Sequence, residues 1–154
     1  MKSLPAFRTA LVVGAILLGG LLPVGANEPV QIITPQEAAL PPVEPDGINR
    51  NITRGPGIDG VSPSPVGVQG SFRFAVKFKP RNGVEIEPET VRVTYLRAPL
   101  VDLTERLKEF ITPQGIDAPD VVAPPGEHVL LIEAVDKEGR TGRGQVTLTV
   151  SAPQ

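Results

Sequence analysis

Hydrophobic and polar residues alternate along several stretches of the chain, which is the pattern of strands that bury one face of a sheet. In the clearest stretch, residues 72–79, three phenylalanines and a valine alternate with alanine and basic residues. Residues 91–95 and 145–150 repeat the alternation with valine, tyrosine and leucine. Residues 58–61 and 84–87 predict two shorter strands. The patterning therefore predicts an all-β chain.

Residues 126–136 predict another strand, which runs into a turn at Gly139. Residues 145–150 follow this turn closely, so the two strands are expected to form a hairpin. Asn82-Gly83 supplies a second turn after residues 72–79, because both residues accept positive φ at little cost.

Residues 99–125 fit the alternation less well. Asp102 has the N-cap residue type, a glutamate follows three residues later, and leucine and phenylalanine recur at helical spacing. We favour a short helix over residues 102–110 that crosses between sheets. A strand with Leu103, Glu105 and Leu107 on one face is the alternative.

The chain divides into three parts. Residues 1–26 have a basic start, an apolar centre and small residues at the end, which is the pattern of a secretory signal peptide. Residues 27–56 are rich in proline and predict a flexible linker. Within this linker, residues 34–40 have capping-box spacing for a single helical turn. Residues 57–152 predict the folded domain.

The spacing Gly126-x-His128-x-Leu130-x-Ile132-x-Ala134-x-Asp136-x-x-Gly139 resembles the penultimate strand of bacterial immunoglobulin-like, PKD-like and fibronectin-III-like domains. His128 stands where these families often have tyrosine. The resemblance implies an immunoglobulin-like antiparallel β-sandwich. It also implies a non-catalytic spacer, adhesion module or accessory binding domain of an exported protein.

Composition narrows the class of protein. The chain has no cysteine, whereas small domains secreted into oxidising animal compartments usually carry disulfides. This favours a bacterial exported protein in the periplasm or outside the cell. The formal net charge of −2 becomes more negative when Lys2 and Arg8 leave with the signal peptide, which argues against a nucleic-acid partner. No transmembrane segment is expected after cleavage.

Several residues are candidates for chemistry, each with a structural alternative that we favour. His128, or the pair Glu85 and Glu87, would act as the catalytic groups of a small hydrolase if a cleft adjusted their pKa values. Asp136 and Glu138 have the oxygen ligands of a calcium site, which Asp102, Asp117 and Asp120 would complete if the fold placed them nearby. We expect His128 to be structural, the glutamates to be solvated and Asp136 to cap its turn. No catalytic residue, metal ligand or cofactor site is predicted.

Basic residues give the candidate binding face. Arg73, Lys77 and Lys79 point away from the phenylalanines, and Arg92 is expected to extend the face on a neighbouring strand. The expected partner is another envelope protein or an anionic envelope component. The sequence thus predicts an exported, non-enzymatic protein-binding or structural module of the cell envelope. A calcium-stabilised adhesion domain and a small hydrolase are the alternatives.

Overall fold

The computed structural model describes residues 27–44, 54–64 and 66–154 of the chain. The predicted signal peptide, residues 1–26, lies outside the described residues. Within the described part, no helix is long and apolar enough to cross a membrane.

Strands dominate the described residues. The elements in chain order are β1 (Val30–Gln31), α1 (Pro35–Ala38), β2 (Gly57–Ser62), β3 (Phe72–Lys79), β4 (Ile86–Tyr95), β5 (Val101–Asp102), α2 (Thr104–Leu107), a 3-10 turn (Lys108–Phe110), β6 (Ile111–Thr112), β7 (Gly115–Val122), β8 (Gly126–Asp136) and β9 (Thr141–Val150).

Two sheets pack face to face and confirm the predicted all-β sandwich. The first sheet has the order β1-β7-β3-β2, with β6 also paired to β7, and the second has the order β5-β4-β8-β9. The pairings are antiparallel except for β1 with β7, which is parallel. The predicted closing hairpin is present as β8 and β9, which pair along their full length.

The core lies between the sheets and follows the alternation in the sequence. Phe74 and Phe78 of β3 are buried, and the second sheet contributes apolar residues such as Ile132 and Leu148. Residues 73, 77 and 79 of β3 are exposed. Strand β3 therefore buries the face that the sequence predicted, since successive side chains alternate between the two faces.

Strand β4 runs through Pro88, where the sequence predicted two separate stretches. Its pairing with β8 is irregular between Glu87 and Arg92, so the extra residues form a bulge. The Thr90 hydroxyl accepts the Val135 N–H at 3.0 Å and donates to the Glu87 carbonyl at 2.6 Å. This hydroxyl replaces ladder hydrogen bonds that the bulge interrupts, so the chain continues as one strand.

Residues 99–125 contain the predicted crossing helix. Helix α2 links β5, on the edge of the second sheet, to β6 on the first sheet. The helix begins at Thr104, later than predicted, because the Asp102 carboxylate accepts the Thr104 N–H at 2.9 Å and holds a turn before it. Leu103 and Leu107 are fully buried. Strand β7 in the same segment was not predicted.

Residues 30–44, here called the N-terminal arm, pack against the sandwich. Strand β1 pairs with β7, and Ile32 and Ile33 are fully buried in the core. Helix α1 has the capping box that its sequence predicts, with Thr34 and Glu37 exchanging hydrogen bonds of 2.8 and 3.2 Å. Two adjacent buried isoleucines thus hold residues 30–44 against the sandwich, while residues 45–53 of the predicted linker lie outside the described residues.

Candidate functional site

The predicted basic residues lie on two different sheets. Arg73, Lys77 and Lys79 are exposed on β3 of the first sheet, on the side away from the core. Arg92 is exposed on β4 of the second sheet, 3.9 Å from the Asp102 carboxylate. Arg92 therefore does not extend the β3 surface. The sequence treated β3 and β4 as neighbours in one sheet, whereas the turn at Asn82-Gly83 carries the chain from one sheet to the other.

Acidic side chains on adjacent strands neutralise most of the positive charge beside β3. Arg73 donates two hydrogen bonds of 2.7 and 2.8 Å to Asp117 of β7. These hydrogen bonds hold the pKa of the Asp117 carboxyl below its usual range. Lys79 pairs with Asp59 of β2. Among the described residues, Lys77 has no ion-pair partner, so the surface carries one uncompensated positive charge.

Five residues form a shallow concave surface, here called the β3 face. The β3 face consists of Val61, Arg73, Ala75, Lys77 and Asp117, and it lines a depression of about 440 Å³. Val61 is 57% exposed, which is a large fraction for an apolar side chain. The β3 face thus combines exposed apolar surface, one free cation and one ion pair.

His128 is a buried structural residue, as predicted. Its ring is 1% exposed, with Nε2 lying 2.7 Å from the Pro124 carbonyl oxygen and Nδ1 lying 2.8 Å from the Tyr95 hydroxyl. A carbonyl only accepts, so Nε2 carries the proton and Nδ1 accepts from the tyrosine. Burial lowers the pKa of His128, and the charge of Arg97 acts in the same direction. Both ring nitrogens of the neutral imidazole are therefore occupied by hydrogen bonds within the fold.

Tyr95 connects His128 to Arg97, a connection that the sequence analysis missed. The Arg97 Nε donates to the Tyr95 hydroxyl at 2.8 Å, and the guanidinium carbon lies 5.1 Å from the centre of the tyrosine ring. Tyr95 and His128 come from paired strands and are 33 residues apart in sequence. Only the register between β4 and β8 brings them together, so no local pattern could reveal the contact.

Asp136 caps the turn of the closing hairpin, as predicted. Burial opposes ionisation of its carboxyl, but hydrogen bonds from the backbone and side chain of Arg140 outweigh this effect and lower the pKa. The carboxylate also accepts the Glu138 N–H at 3.0 Å. The N–H groups of Glu138 and Arg140 thus already donate to the Asp136 carboxylate oxygens that a calcium ion would need.

The acidic residues proposed for calcium are distributed over separate elements. Asp102 is in β5, Asp117 pairs with Arg73 in the first sheet, and Asp136 is at the far end of β8. Across residues 27–44, 54–64 and 66–154, no group of three metal-ligating side chains is close enough to hold an ion.

The glutamates near β4 do not form a buried carboxylate pair. Glu85 pairs with Lys137 at 2.6 Å, and this hydrogen bond lowers the pKa of Glu85. Glu85, Glu87 and Glu89 are all exposed, and the bulge after Glu87 interrupts the regular alternation that would align them. A glycosidic general acid needs a raised pKa, which exposure and pairing with lysine do not provide.

No protein-family model, curated protein or solved structure matches the chain.

Proposed function

We propose that the protein is an exported, non-enzymatic module of the bacterial cell envelope, periplasmic or extracellular, that binds another envelope protein through the β3 face. The observation that carries this proposal is the composition of that face, in which Val61 and Lys77 lie together in one depression. An apolar contact flanked by a free cation and an ion pair is suited to the mixed polarity of protein–protein interfaces.

The charge balance favours a protein partner over an anionic polymer or lipid surface. A polyanion is held mainly by several cations acting together. Around β3, Asp117 and Asp59 neutralise Arg73 and Lys79, so that among the residues the structure describes Lys77 is left as the cation free to pair with a ligand. The contribution of Val61 does not depend on salt, so a protein complex would persist where a purely ionic one is screened.

The buried ionisable groups support a binding role over a hydrolase. His128, Asp136 and Tyr95 are the buried ionisable residues of the described core, and the fold uses the hydrogen-bonding groups of all three. A catalytic histidine or carboxylate needs a free position toward substrate. In this interpretation, export by the signal peptide and the resemblance to immunoglobulin-like modules agree with a binding domain.

An affinity experiment with matched variants tests the proposal. Residues 27–154 serve as bait in envelope extract, and the captured proteins are compared for Lys77→Glu and Val61→Asp. The matched controls are Lys108→Glu and Leu100→Asp, which change a lysine and an apolar residue that are exposed elsewhere. A protein that both β3-face variants lose, both controls retain and high salt does not remove is the expected result. Capture that all four variants retain, or that salt alone abolishes, would refute the proposed surface.

A further inference from the structure

The second half of the N-terminal arm is attached to the sandwich through Arg97. Its guanidinium donates to the Leu40 carbonyl at 3.0 Å and to the Glu127 carbonyl at 3.3 Å. Beside it, Val43 N–H donates to the Leu96 carbonyl and Ala98 N–H donates to the Pro41 carbonyl, at 3.2 and 2.9 Å. Residues 40–43 are therefore held mainly by the chain around Arg97.

The first half of the arm has different attachments. Ile32 and Ile33 are buried, and the Ile32 N–H donates to the Val122 carbonyl at 3.1 Å. Arg106 joins this half through Glu37 and the Ile32 carbonyl. The two halves of the arm are thus secured by separate arginines.

The series of hydrogen bonds from Arg97 to His128 is compatible only with the neutral form of the His128 imidazole. Arg97 donates to the Tyr95 oxygen, Tyr95 donates to Nδ1 of His128, and Nε2–H of His128 donates to Pro124. If Nδ1 gains a proton, it donates to the Tyr95 oxygen and the tyrosine O–H loses its acceptor. The charged His128 ring and the Arg97 guanidinium then both donate to the buried Tyr95 oxygen, and the repulsion between these two cations displaces Arg97.

The charged groups around His128 do not offset this repulsion in the interior. Arg97 approaches from the chain after β4, while Tyr95 of β4 and Leu148 of β9 are uncharged. Glu127 precedes His128 on β8 and is exposed. Glu44 of the arm lines the shallow pocket outside Arg97 together with Glu127. These two carboxylates are exposed and line the pocket that Arg97 also lines, so they lie on the solvent side and not beside the buried phenol.

We propose that His128, Tyr95 and Arg97 form a pH-sensitive tie that holds residues 40–43 on the sandwich at neutral pH and loosens them in acid, when two backbone hydrogen bonds are their remaining attachment. Protonation of His128 displaces Arg97 from Tyr95, which breaks its hydrogen bonds to Leu40 and Glu127. The first half of the arm stays in place because its attachments do not include these residues. Acid therefore exposes one short segment by local opening, while the sandwich remains folded.

The direction of the pH effect follows from burial of the ring. Burial lowers the pKa of His128 in the folded state, so the locally open state binds the proton more readily. The tie is fully formed above the pKa of an exposed histidine, about 6.5, and weakens as the pH falls below that value.

Hydrogen exchange measured by NMR on residues 27–154 tests the tie. Rates are corrected for the intrinsic pH dependence of exchange, and the amides of Val43 and Ala98 are compared with that of Ile32. Between pH 7.5 and pH 5.5, protection of Val43 and Ala98 is expected to fall roughly three- to tenfold more than that of Ile32. Equal pH dependence at the three amides would overturn the proposal.

Tyr95→Phe keeps the ring and cuts the connection between His128 and Arg97. In this variant, Val43 and Ala98 are expected to be less protected at neutral pH, and the excess pH dependence over Ile32 is expected to disappear. Arg143→Gln removes an exposed arginine of β9 and is expected to behave as the unmodified protein. If the excess pH dependence survives in Tyr95→Phe, the tie does not run through the tyrosine and the proposal fails.

Discussion

Glu37 links the N-terminal arm to helix α2 by a two-point ion pair with Arg106, at 2.7 and 2.8 Å. The hydrogen bond from Arg106 lowers the pKa of Glu37 from 4.5 to about 2. A carboxyl with a lowered pKa stabilises the fold above its unfolded-state pKa and loses this contribution as the pH falls through the folded-state value. The ion pair therefore contributes fully above pH 4.5 and declines toward pH 2.

Glu37→Gln is expected to lower the free energy of unfolding by about 1–2 kcal/mol at pH 7, because hydrogen bonds to charged groups are lost while the capping box is kept. Urea unfolding at pH 7 and at pH 3 measures the effect, which should be smaller at pH 3. Glu105→Gln, on an exposed pair with Lys108 at 3.8 Å, is the control and should change stability by less than about 0.5 kcal/mol. An equal loss at both pH values would contradict the assigned role of the Glu37 charge.

At the scale of elements, the N-terminal arm is part of the folded core. Ile32 and Ile33 are both 0% exposed and belong to the main hydrophobic cluster. Strand β1 also covers an edge of β7 that would otherwise expose unpaired backbone groups. Residues 30–33 therefore contribute to the core together with the domain predicted for residues 57–152.

Ile33→Ala is expected to cost about 2–4 kcal/mol of stability, because it removes fully buried methyl groups and leaves a cavity. Gln36→Ala, an exposed change on α1, is the matched control and should stay within about 0.5 kcal/mol. Chemical denaturation of residues 27–154 provides the measurement. If Ile33→Ala lowers the free energy of unfolding no more than the control does, the arm does not contribute to the folded core.

Strands β2 and β9 approach closely and bring the two sheets together along one side. A Cβ placed on Gly142 would lie 2.0 Å from the Pro56 carbonyl oxygen, and one on Gly144 would lie 2.7 Å from Ile58 Cβ. Gly142 and Gly144 of β9 therefore allow this strand to pack closely against Pro56 and Ile58, where a side chain would not fit.

Gly142→Ala is expected to lower stability by about 1–3 kcal/mol, because backbone atoms must move apart to admit the methyl group. Thr147→Ala, exposed on the same strand, should change stability by less than about 0.5 kcal/mol. A shift in the midpoint of thermal unfolding reports both effects. A neutral Gly142→Ala would mean that β9 does not need the close approach to Pro56.

The elements that the sequence predicted are those with strong periodic patterns. Residues 72–79 and the 126–150 hairpin alternate over many positions, so their buried faces were predicted correctly. Strand β7 was missed because Pro119 and two aspartates interrupt its pattern. Strand β1 has two residues and is defined by its partner β7, which tertiary packing alone supplies.

At the scale of the whole molecule, the site depends on topology that local patterns do not contain. The sequence identified Arg73, Lys77 and Lys79 on one strand, yet Arg92 lies on the other sheet. Asp59 and Asp117 reach the β3 surface only through pairing of β2 and β7 with β3. Strand pairing thus changed the predicted basic strip into a mixed surface, on which Lys77 is the one free cation within the described part of the chain.

Short segments cover parts of the sheet edges of the described molecule, while β2 and most of β9 remain edge strands. Residues around Val68 pair with the end of β9, and β1 and β6 cover β7. The open part of β4 carries Pro88, the bulge and exposed glutamates, features that discourage pairing with another strand. At β7 and β4, a partner is therefore expected to contact side chains of a face instead of adding a strand.

Site-specific photo-crosslinking in intact cells tests the central claim, binding through the β3 face, most directly. A photoreactive residue replaces Val61 in one variant and Leu100 in the other, since these apolar residues are similarly exposed, at 57% and 62%. The account predicts a crosslink to an envelope protein from position 61 that is absent from position 100 and disappears when Lys77 is also changed to glutamate. A folded, exported protein that gives no adduct at position 61, or the same adducts at both positions, would contradict it.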